Sequence, residues 1–150
     1  MNTRSLLLIE DDRDYVDVIA RALSKAGLGV ELLVVRDGQE ALDTLGIENG
    51  KLDEQRPLPR VVFLDLKMPR VDGWEVLTRM RASPRTARVP VVIVSGSDRP
   101  EDIRRSYALG ANSYLLKRFD PRGPGTYLAE AARYWIEMNQ VTPEPEPTSW

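Results

Sequence analysis

The sequence contains no cysteine and no histidine. Without cysteine the chain can form neither disulfides nor thiolate metal sites, and without histidine it has no imidazole to serve as a general base or a metal ligand. Its 21 basic and 23 acidic residues give a net charge of −2, which provides no bulk attraction to nucleic acid or to an anionic membrane. Any chemistry must therefore use carboxylates, hydroxyls and lysine.

Long apolar segments are also lacking. The first apolar run, at residues 6–9, ends at an acidic cluster and is far shorter than a signal-peptide core or a membrane span. We therefore expect a cytoplasmic protein. A chain of 150 residues accommodates one ordinary domain. We expect that domain to occupy residues 1–140 with no separate output module, followed by a Pro/Glu-rich tail at residues 141–150.

Short runs of branched apolar residues alternate with segments of helical period. Because the apolar runs do not alternate with polar residues, they are typical of strands covered on both faces. The order β-α, repeated five times, predicts an α/β fold with a doubly wound, five-stranded parallel sheet and helices on both faces. Residues 46–60 are predicted to form a polar surface connection. The predicted strands are residues 6–9, 30–35, 61–66, 91–94 and 113–116.

Functional side chains of such sheets collect at the carboxyl ends of the strands. The first strand is followed by Glu10 and Asp11, and the third carries Asp65. The fourth is followed by Ser95 and the fifth by Lys117. Converging carboxylates favour a hard divalent cation, Mg²⁺ or alternatively Mn²⁺. Asp65 then offers a nucleophilic oxygen for phosphoryl transfer, while the serine hydroxyl and the lysine ammonium can contact phosphoryl oxygens.

Purely structural interpretations stand beside this one. Polar residues after strands often form turns or caps, and Asp12 is placed to cap a helix beginning near Arg13. Ser95 and Lys117, taken singly, also fit structural roles. Asp65 differs, because it interrupts an apolar strand and charged residues are rarely buried without a partner.

Five segments resemble the receiver domains of response regulators in two-component signalling, and they occur in the order typical of that family. The resemblance extends from residue 4 to about residue 140. The resemblance implies a flavodoxin-like strand order, 2-1-3-4-5. It also implies a signalling switch rather than an enzyme with a diffusible substrate: a sensor histidine kinase supplies the phosphoryl group, and phosphorylation changes a surface that a downstream protein binds. The segments are LIEDD (8–12), DGQEAL (37–42), FLDLKMPRVDG (63–73), VPVVIVSGS (89–97) and LGANSYLLK (109–117).

The resemblance implies a role for each matching residue. Asp65 is the phosphoacceptor, and Mg²⁺ is held by Asp65, Glu10, Asp11 and the backbone carbonyl of Lys67. The surface made by the fourth helix, fifth strand and fifth helix is the expected docking face for a partner or a second copy. The remaining roles are the switch hydroxyl (Ser95), the small residue after it (Gly96), the phosphoryl-contacting lysine (Lys117), the rotating aromatic (Tyr114), and two positions that tune the lifetime of the phosphorylated state (Lys67 and Ser97).

One departure from the family pattern is Arg118, which follows Lys117 where the family usually has a proline in a cis peptide. A cis peptide before a residue other than proline costs about 3 kcal/mol, so we expect the loop after Lys117 to be rearranged. This departure bears on the placement of the lysine and not on the acidic cluster or Asp65. A finer resemblance, in residues 105–114 and in the Tyr134-Trp135 pair, is to single-domain receivers that serve phytochrome-type histidine kinases. It implies a bacteriophytochrome as the partner kinase.

Three other functions compete. A haloacid-dehalogenase-type phosphatase also uses an aspartate nucleophile with Mg²⁺, but it needs a second aspartate two residues later, where this chain has Lys67. A degenerate receiver, acting as a constitutive binding module, is supported only by Arg118. A flavin- or nucleotide-binding domain would need a glycine-rich phosphate loop after Ile9, and none is there.

Overall fold

Strands and helices alternate along the chain in this computed structural model, which describes residues 4–48, 51–52 and 57–143. A π-helical segment, Tyr134–Met138, continues the last helix. The strands are β1 (Ser5–Ile9), β2 (Glu31–Val35), β3 (Ile47–Glu48), β4 (Lys51–Leu52), β5 (Val61–Leu64), β6 (Val91–Ser95) and β7 (Ser113–Leu116). The helices are α1 (Arg13–Lys25), α2 (Gly38–Thr44), α3 (Gly73–Ala82), α4 (Pro100–Ala108) and α5 (Thr126–Arg133).

Five of the strands form one parallel sheet in the order β2-β1-β5-β6-β7. Counting only the strands of this sheet, the order is 2-1-3-4-5, which confirms the predicted flavodoxin-like topology. The register pairs Ile9 of β1 with Leu64 of β5. Because both strands end there, Glu10 and Asp65 leave the sheet side by side.

The sheet divides the hydrophobic core into two layers, because successive strand residues point to opposite faces. Leu7 and Ile9 of β1 pack in the layer with α2 and α3, while Leu6 and Leu8 pack in the layer with α1 and α5. Helices therefore cover both faces, as the prediction of a doubly wound sheet requires. The buried hydrophobic residues of these helices are Ala41, Leu42, Val76, Leu77 and Met80 in the first layer, and Val16, Ile19, Ala22, Leu23, Tyr127, Leu128, Ala129 and Ala132 in the second.

The predicted polar connection at residues 46–60 contains an antiparallel pair of two-residue strands that the sequence analysis did not predict. Ile47 of β3 pairs with Leu52 of β4. The sequence between these strands is Asn-Gly, the dipeptide most typical of a two-residue hairpin turn, so a signal for the hairpin was present. The third strand of the sheet is also shorter than predicted, since β5 ends at Leu64 and leaves Asp65 just beyond it.

Two further expectations concern the C-terminal tail and membrane-spanning segments, and both can be compared only with the described residues. Of the predicted tail at 141–150, residues 144–150 lie outside the described part of the chain. None of the helices in the described part of the chain combines the length and the apolar character needed to cross a bilayer.

The loop that carries Asp65 is packed tightly against the start of α3. Asp72 caps that helix by accepting a hydrogen bond from the Glu75 amide at 2.9 Å. The next residue, Gly73, donates its amide to the carbonyl of Leu66 at 2.9 Å. A β-carbon on Gly73 would lie 2.2 Å from the carbonyl oxygen of Asp65 and 2.8 Å from the α-carbon of Leu66. Glycine is therefore required at position 73 because backbone atoms occupy the space.

We expect Gly73→Ala to lower the free energy of unfolding by roughly 1–3 kcal/mol, since backbone must move to admit the methyl group. Urea denaturation followed by circular dichroism measures the change. Gly96→Ala is the matched control, because a β-carbon there meets no atom within 4 Å and should change stability little. Equal unfolding midpoints for the two variants would contradict this account of the loop.

Candidate functional site

An acidic cluster lies at the carboxyl ends of β1 and β5. Glu10 and Asp65 are buried, with 1% and 7% of their surfaces exposed, while Asp11 is exposed. One carboxylate oxygen from each of the three lies within 4.8 Å of the others. The cluster therefore brings together the three carboxylates predicted from the sequence, and such hard oxygen donors suit Mg²⁺ or Mn²⁺.

Asp12 is excluded from this cluster by its capping role. Its side chain accepts hydrogen bonds from the amides of Asp14 at 3.0 Å and Tyr15 at 3.4 Å. Its own amide donates to Glu10 Oε1 at 3.2 Å. Asp12 thus begins α1, as the structural interpretation predicts, and helps to orient Glu10.

Lys117 reaches the acidic cluster from the end of β7. Its Nζ lies 2.8 Å from Glu10 Oε2 and 3.7 Å from Asp65 Oδ2. Lys117 therefore lies where the resemblance implies, although Arg118 follows it in place of the family's proline. The loop is secured in another way, because the Arg118 amide donates to the hydroxyl of Tyr127 at 3.2 Å.

The electrostatics of the cluster centre on Asp65. The pKa of its carboxyl is raised to about 7, first by burial and then by the neighbouring negative charges of Glu10 and Asp11. Lys117 and the backbone amide of Lys67 oppose this by stabilising the carboxylate. A positive ion among the carboxylates would likewise favour the charged form, which is the form that can act as a nucleophile.

Asp65 opens into a cleft of about 410 Å³ that contains most of the predicted site residues. The cleft has an open wall at Gly96, where a β-carbon would meet no atom within 4 Å. Sequence analysis missed Asp98 and Arg99, which follow the predicted Ser97 on the same loop. The lining residues are Asp65, Lys67, Ser95, Gly96, Ser97, Asp98, Arg99 and Lys117.

Hydrogen bonds link the end of β6 to Tyr114 and to α4. The Ser95 hydroxyl accepts from the amide of Ser97 at 3.1 Å, and the Tyr114 hydroxyl donates to the carbonyl of Ser97 at 2.8 Å. The Ser97 hydroxyl donates to Asp102 Oδ2 at 2.5 Å. Tyr114 is therefore tied to the loop that follows Ser95 rather than left free on the surface.

Two tyrosines complete the surroundings of Lys117. Its Nζ lies 4.5 Å from the ring centroid of Tyr15 on α1, and the hydroxyl of Tyr15 lies 2.9 Å from that of Tyr127 on α5. Sequence analysis missed this pair, because the two residues are 112 positions apart and share no local motif. Only the packing of α1 against α5 brings them together.

The family model of the response regulator receiver domain matches residues 6–123. The chain belongs to this family. The fold and the acidic cluster at the carboxyl edge of the sheet agree with that membership.

Receiver-family proteins of similar length are among the relatives. The probable methanogenesis regulatory protein FilR2 of Methanothrix harundinacea is 37% identical over 135 residues, covering 90% of this chain and 85% of the relative. Response regulator Rcp1 of Synechocystis is 31% identical over 132 residues, covering 88% of each chain. This chain thus spans most of the length of both relatives.

Solved structures of receivers superpose closely. The Mn²⁺-bound form of Rcp1 gives a TM-score of 0.80 at 28% identity, covering 93% of this chain and 99% of that one. The phosphorylated cyanobacterial phytochrome response regulator RcpA gives a TM-score of 0.80 at 30% identity, covering 92% of this chain and 97% of that one. The acidic cluster of Glu10, Asp11 and Asp65 is compatible with binding of a divalent metal, such as the Mn²⁺ that is bound in the Rcp1 structure.

Proposed function

We propose that this chain is a response regulator that accepts a phosphoryl group on Asp65 from a sensor histidine kinase, in a reaction that depends on Mg²⁺. The observation that carries the proposal is the convergence on Asp65 of two further carboxylates and a lysine, beside a cleft that also contains Ser95. Glu10, Asp11, Asp65 and the carbonyl of Lys67 would hold the ion.

In the transfer step, a carboxylate oxygen of Asp65 attacks the phosphorus of the donor phosphohistidine. The P–O bond forms as the P–N bond breaks, and the donor imidazole leaves with the electron pair and takes up a proton. The product is an acyl phosphate. The bound cation supplies positive charge that neutralises the phosphoryl oxygens.

The chain's own residues position the incoming group. The ammonium of Lys117, 3.7 Å from Asp65 Oδ2, is placed to contact one phosphoryl oxygen, and the hydroxyl of Ser95 is placed to donate to another. Gly96 leaves the approach open. Lys67 and Ser97 border the cleft, where they would tune attack by water and so the lifetime of the acyl phosphate.

The signal leaves through the surface made by α4, β7 and α5. A phosphoryl group adds about −2 charge next to Ser95 and draws its hydroxyl inward. The Ser97 loop moves with it, and the hydroxyl of Tyr114 is bonded to that loop. Of the residues of α4 only Ser106 is buried, and Tyr107 is 49% exposed, so this surface is open to a downstream protein or a second copy in a homodimer.

The partner kinase proposed is a phytochrome-type histidine kinase, specifically a bacteriophytochrome, because RcpA is a phytochrome response regulator of nearly equal length. We further propose a cytoplasmic switch with its receiver at residues 1–140 and a short tail at 141–150, acting through protein contacts rather than through nucleic acid or membrane. Its only chemistry would be its own phosphorylation and dephosphorylation. Lys67 at the second position after Asp65 disfavours the phosphatase alternative.

The test is incubation with acetyl phosphate and Mg²⁺, followed by mass-spectrometric mapping of the modified residue. We expect one phosphoryl group on Asp65 and none after chelation of Mg²⁺ or in Asp65→Asn. Asp98→Asn, an exposed aspartate of the same cleft, is the control and should retain incorporation. Modification elsewhere would contradict the assignment of Asp65, and no incorporation at all would favour the degenerate receiver.

A further inference from the structure

The residue after Lys117 creates a hydrogen-bonding requirement that a proline would not. Arg118 carries a backbone N–H, and this amide donates to the hydroxyl of Tyr127 at 3.2 Å. Tyr127 belongs to α5 and is 8% exposed. A buried tyrosine hydroxyl needs polar partners, and this one faces the main chain beside the site lysine.

The hydroxyl of Tyr127 has a second partner on another helix. It lies 2.9 Å from the hydroxyl of Tyr15 on α1. The ring of Tyr15 lies below the ammonium of Lys117, with 4.5 Å between Nζ and the ring centroid, a distance at which a cation is attracted to the ring face. Burial, and next its hydrogen bond to Tyr127, raise the pKa of the Tyr15 hydroxyl above its ordinary value.

We propose that Tyr15 and Tyr127 act as positioning residues that hold Lys117 toward Asp65, with Tyr127 binding the amide that Arg118 brings to the loop. The pair restrains the lysine at both ends. Tyr15 contacts its ammonium, and Tyr127 fixes the peptide that follows it. This inference rests on the proposed phosphoryl site, because Lys117 is useful there only if a phosphoryl group is bound next to Asp65.

The alternative is that both tyrosines only pack α1 against α5. That role would depend on the rings and would be kept when phenylalanine replaces tyrosine. The positioning role of Tyr127 depends on its hydroxyl, so Tyr127→Phe separates the two. Tyr15 contacts the ammonium through its ring, and only its bond to Tyr127 depends on its hydroxyl. The positioning role of Tyr127 also depends on the N–H at position 118, which Arg118→Pro removes while Arg118→Ala keeps it.

The first measurement is the affinity for beryllofluoride, a phosphoryl mimic, at saturating Mg²⁺. We expect Tyr127→Phe to weaken binding roughly fivefold to tenfold, the scale of one lost hydrogen bond. Tyr15→Phe keeps the ring next to the ammonium and removes only the hydroxyl bond to Tyr127, so it should weaken binding less. Tyr134→Phe is the control, since this tyrosine of the same helical segment is 45% exposed; its affinity should stay unchanged. Hydrogen exchange of the residue 118 amide should be faster than in the wild type in Tyr127→Phe, and unchanged in Tyr15→Phe and Tyr134→Phe.

The decisive measurement is the effect of Tyr127→Phe in two backgrounds. In Arg118→Ala, which also removes the guanidinium 5.2 Å from the Tyr127 ring, the full loss of affinity should persist. In Arg118→Pro, Tyr127→Phe should change affinity less than twofold. An equal loss in both backgrounds would overturn the proposal, as would unchanged affinity and exchange in Tyr127→Phe. Failure of the wild type to bind beryllofluoride would instead overturn the proposed phosphoryl site.

Discussion

Replacing Arg81 by methionine is expected to lower the free energy of unfolding by roughly 3–4 kcal/mol, because one guanidinium satisfies several backbone carbonyls that would lose their partner together. For a chain of this length that loss corresponds to a fall of roughly 10 °C in the unfolding temperature. Differential scanning calorimetry and urea denaturation measure it.

The geometry behind this expectation is a single side chain that joins three segments. Arg81, in the last turn of α3, bonds to the loop before β6 and to the turn before β7. Its Nη2 donates to Asn112 Oδ1 at 2.9 Å, and the same oxygen accepts from the amide of Val91 at 2.9 Å. Burial lowers the pKa of its guanidinium. The carbonyls that accept from Arg81 are those of Gly110 at 3.0 Å, Val89 at 2.8 Å, Ala87 at 3.1 Å and Thr86 at 3.4 Å.

Arg79→Met is the matched control for Arg81→Met. Arg79 lies in the same last turn of α3, so both substitutions remove one positive charge near the helix C-terminus, and only one removes the contacts to the two loops. Arg81→Lys keeps the charge but cannot reproduce a planar fork of donors, so we expect most of the loss to remain. A similar stability for Arg79→Met and Arg81→Met would show that the charge, rather than the hydrogen bonds, matters.

The site was predictable where it follows from strand register. Apolar runs identify the strands, and parallel strands end at one edge of a sheet, so Glu10 and Asp65 had to meet there. Ser95 and Lys117 follow from the same rule. The roles themselves came from the resemblance to receivers, because side-chain chemistry alone leaves Ser95 and Lys117 open to structural readings.

The parts that sequence could not provide depend on contacts between distant segments. The expectation of a rearranged loop after Lys117 considered only Arg118, whereas Tyr15 and Tyr127 are brought to the loop by the packing of α1 against α5. Arg81 gave no signal either, since its acceptors are mainly backbone carbonyls, which any residue possesses. The hairpin at β3 and β4 was missed for a different reason, because its Asn-Gly signal was outweighed by the polar composition around it.

We expect the wild type to bind Mg²⁺ and Mn²⁺ weakly and Asp11→Asn to lower the affinity at least tenfold, so that the variant shows no measurable binding at millimolar ion. Asp11 is the exposed member of the acidic cluster, and its replacement by asparagine removes one of the cluster's three negative charges. At an effective dielectric constant of about 20, two unit charges 4 Å apart attract by about 4 kcal/mol, so a tenfold loss, about 1.4 kcal/mol, is a conservative expectation.

Isothermal titration calorimetry with each ion measures this loss, and Asp12→Asn is its control. Asp12 neighbours Asp11 and carries the same charge, but its carboxylate caps α1, and asparagine is an equally good N-cap. The Asp12→Asn variant should therefore keep both its stability and its affinity for the ions. Unchanged affinity in Asp11→Asn would remove Asp11 from the site, whereas equal losses in both variants would mean that the ions respond to the local charge of residues 10–12 and not to a defined set of ligands.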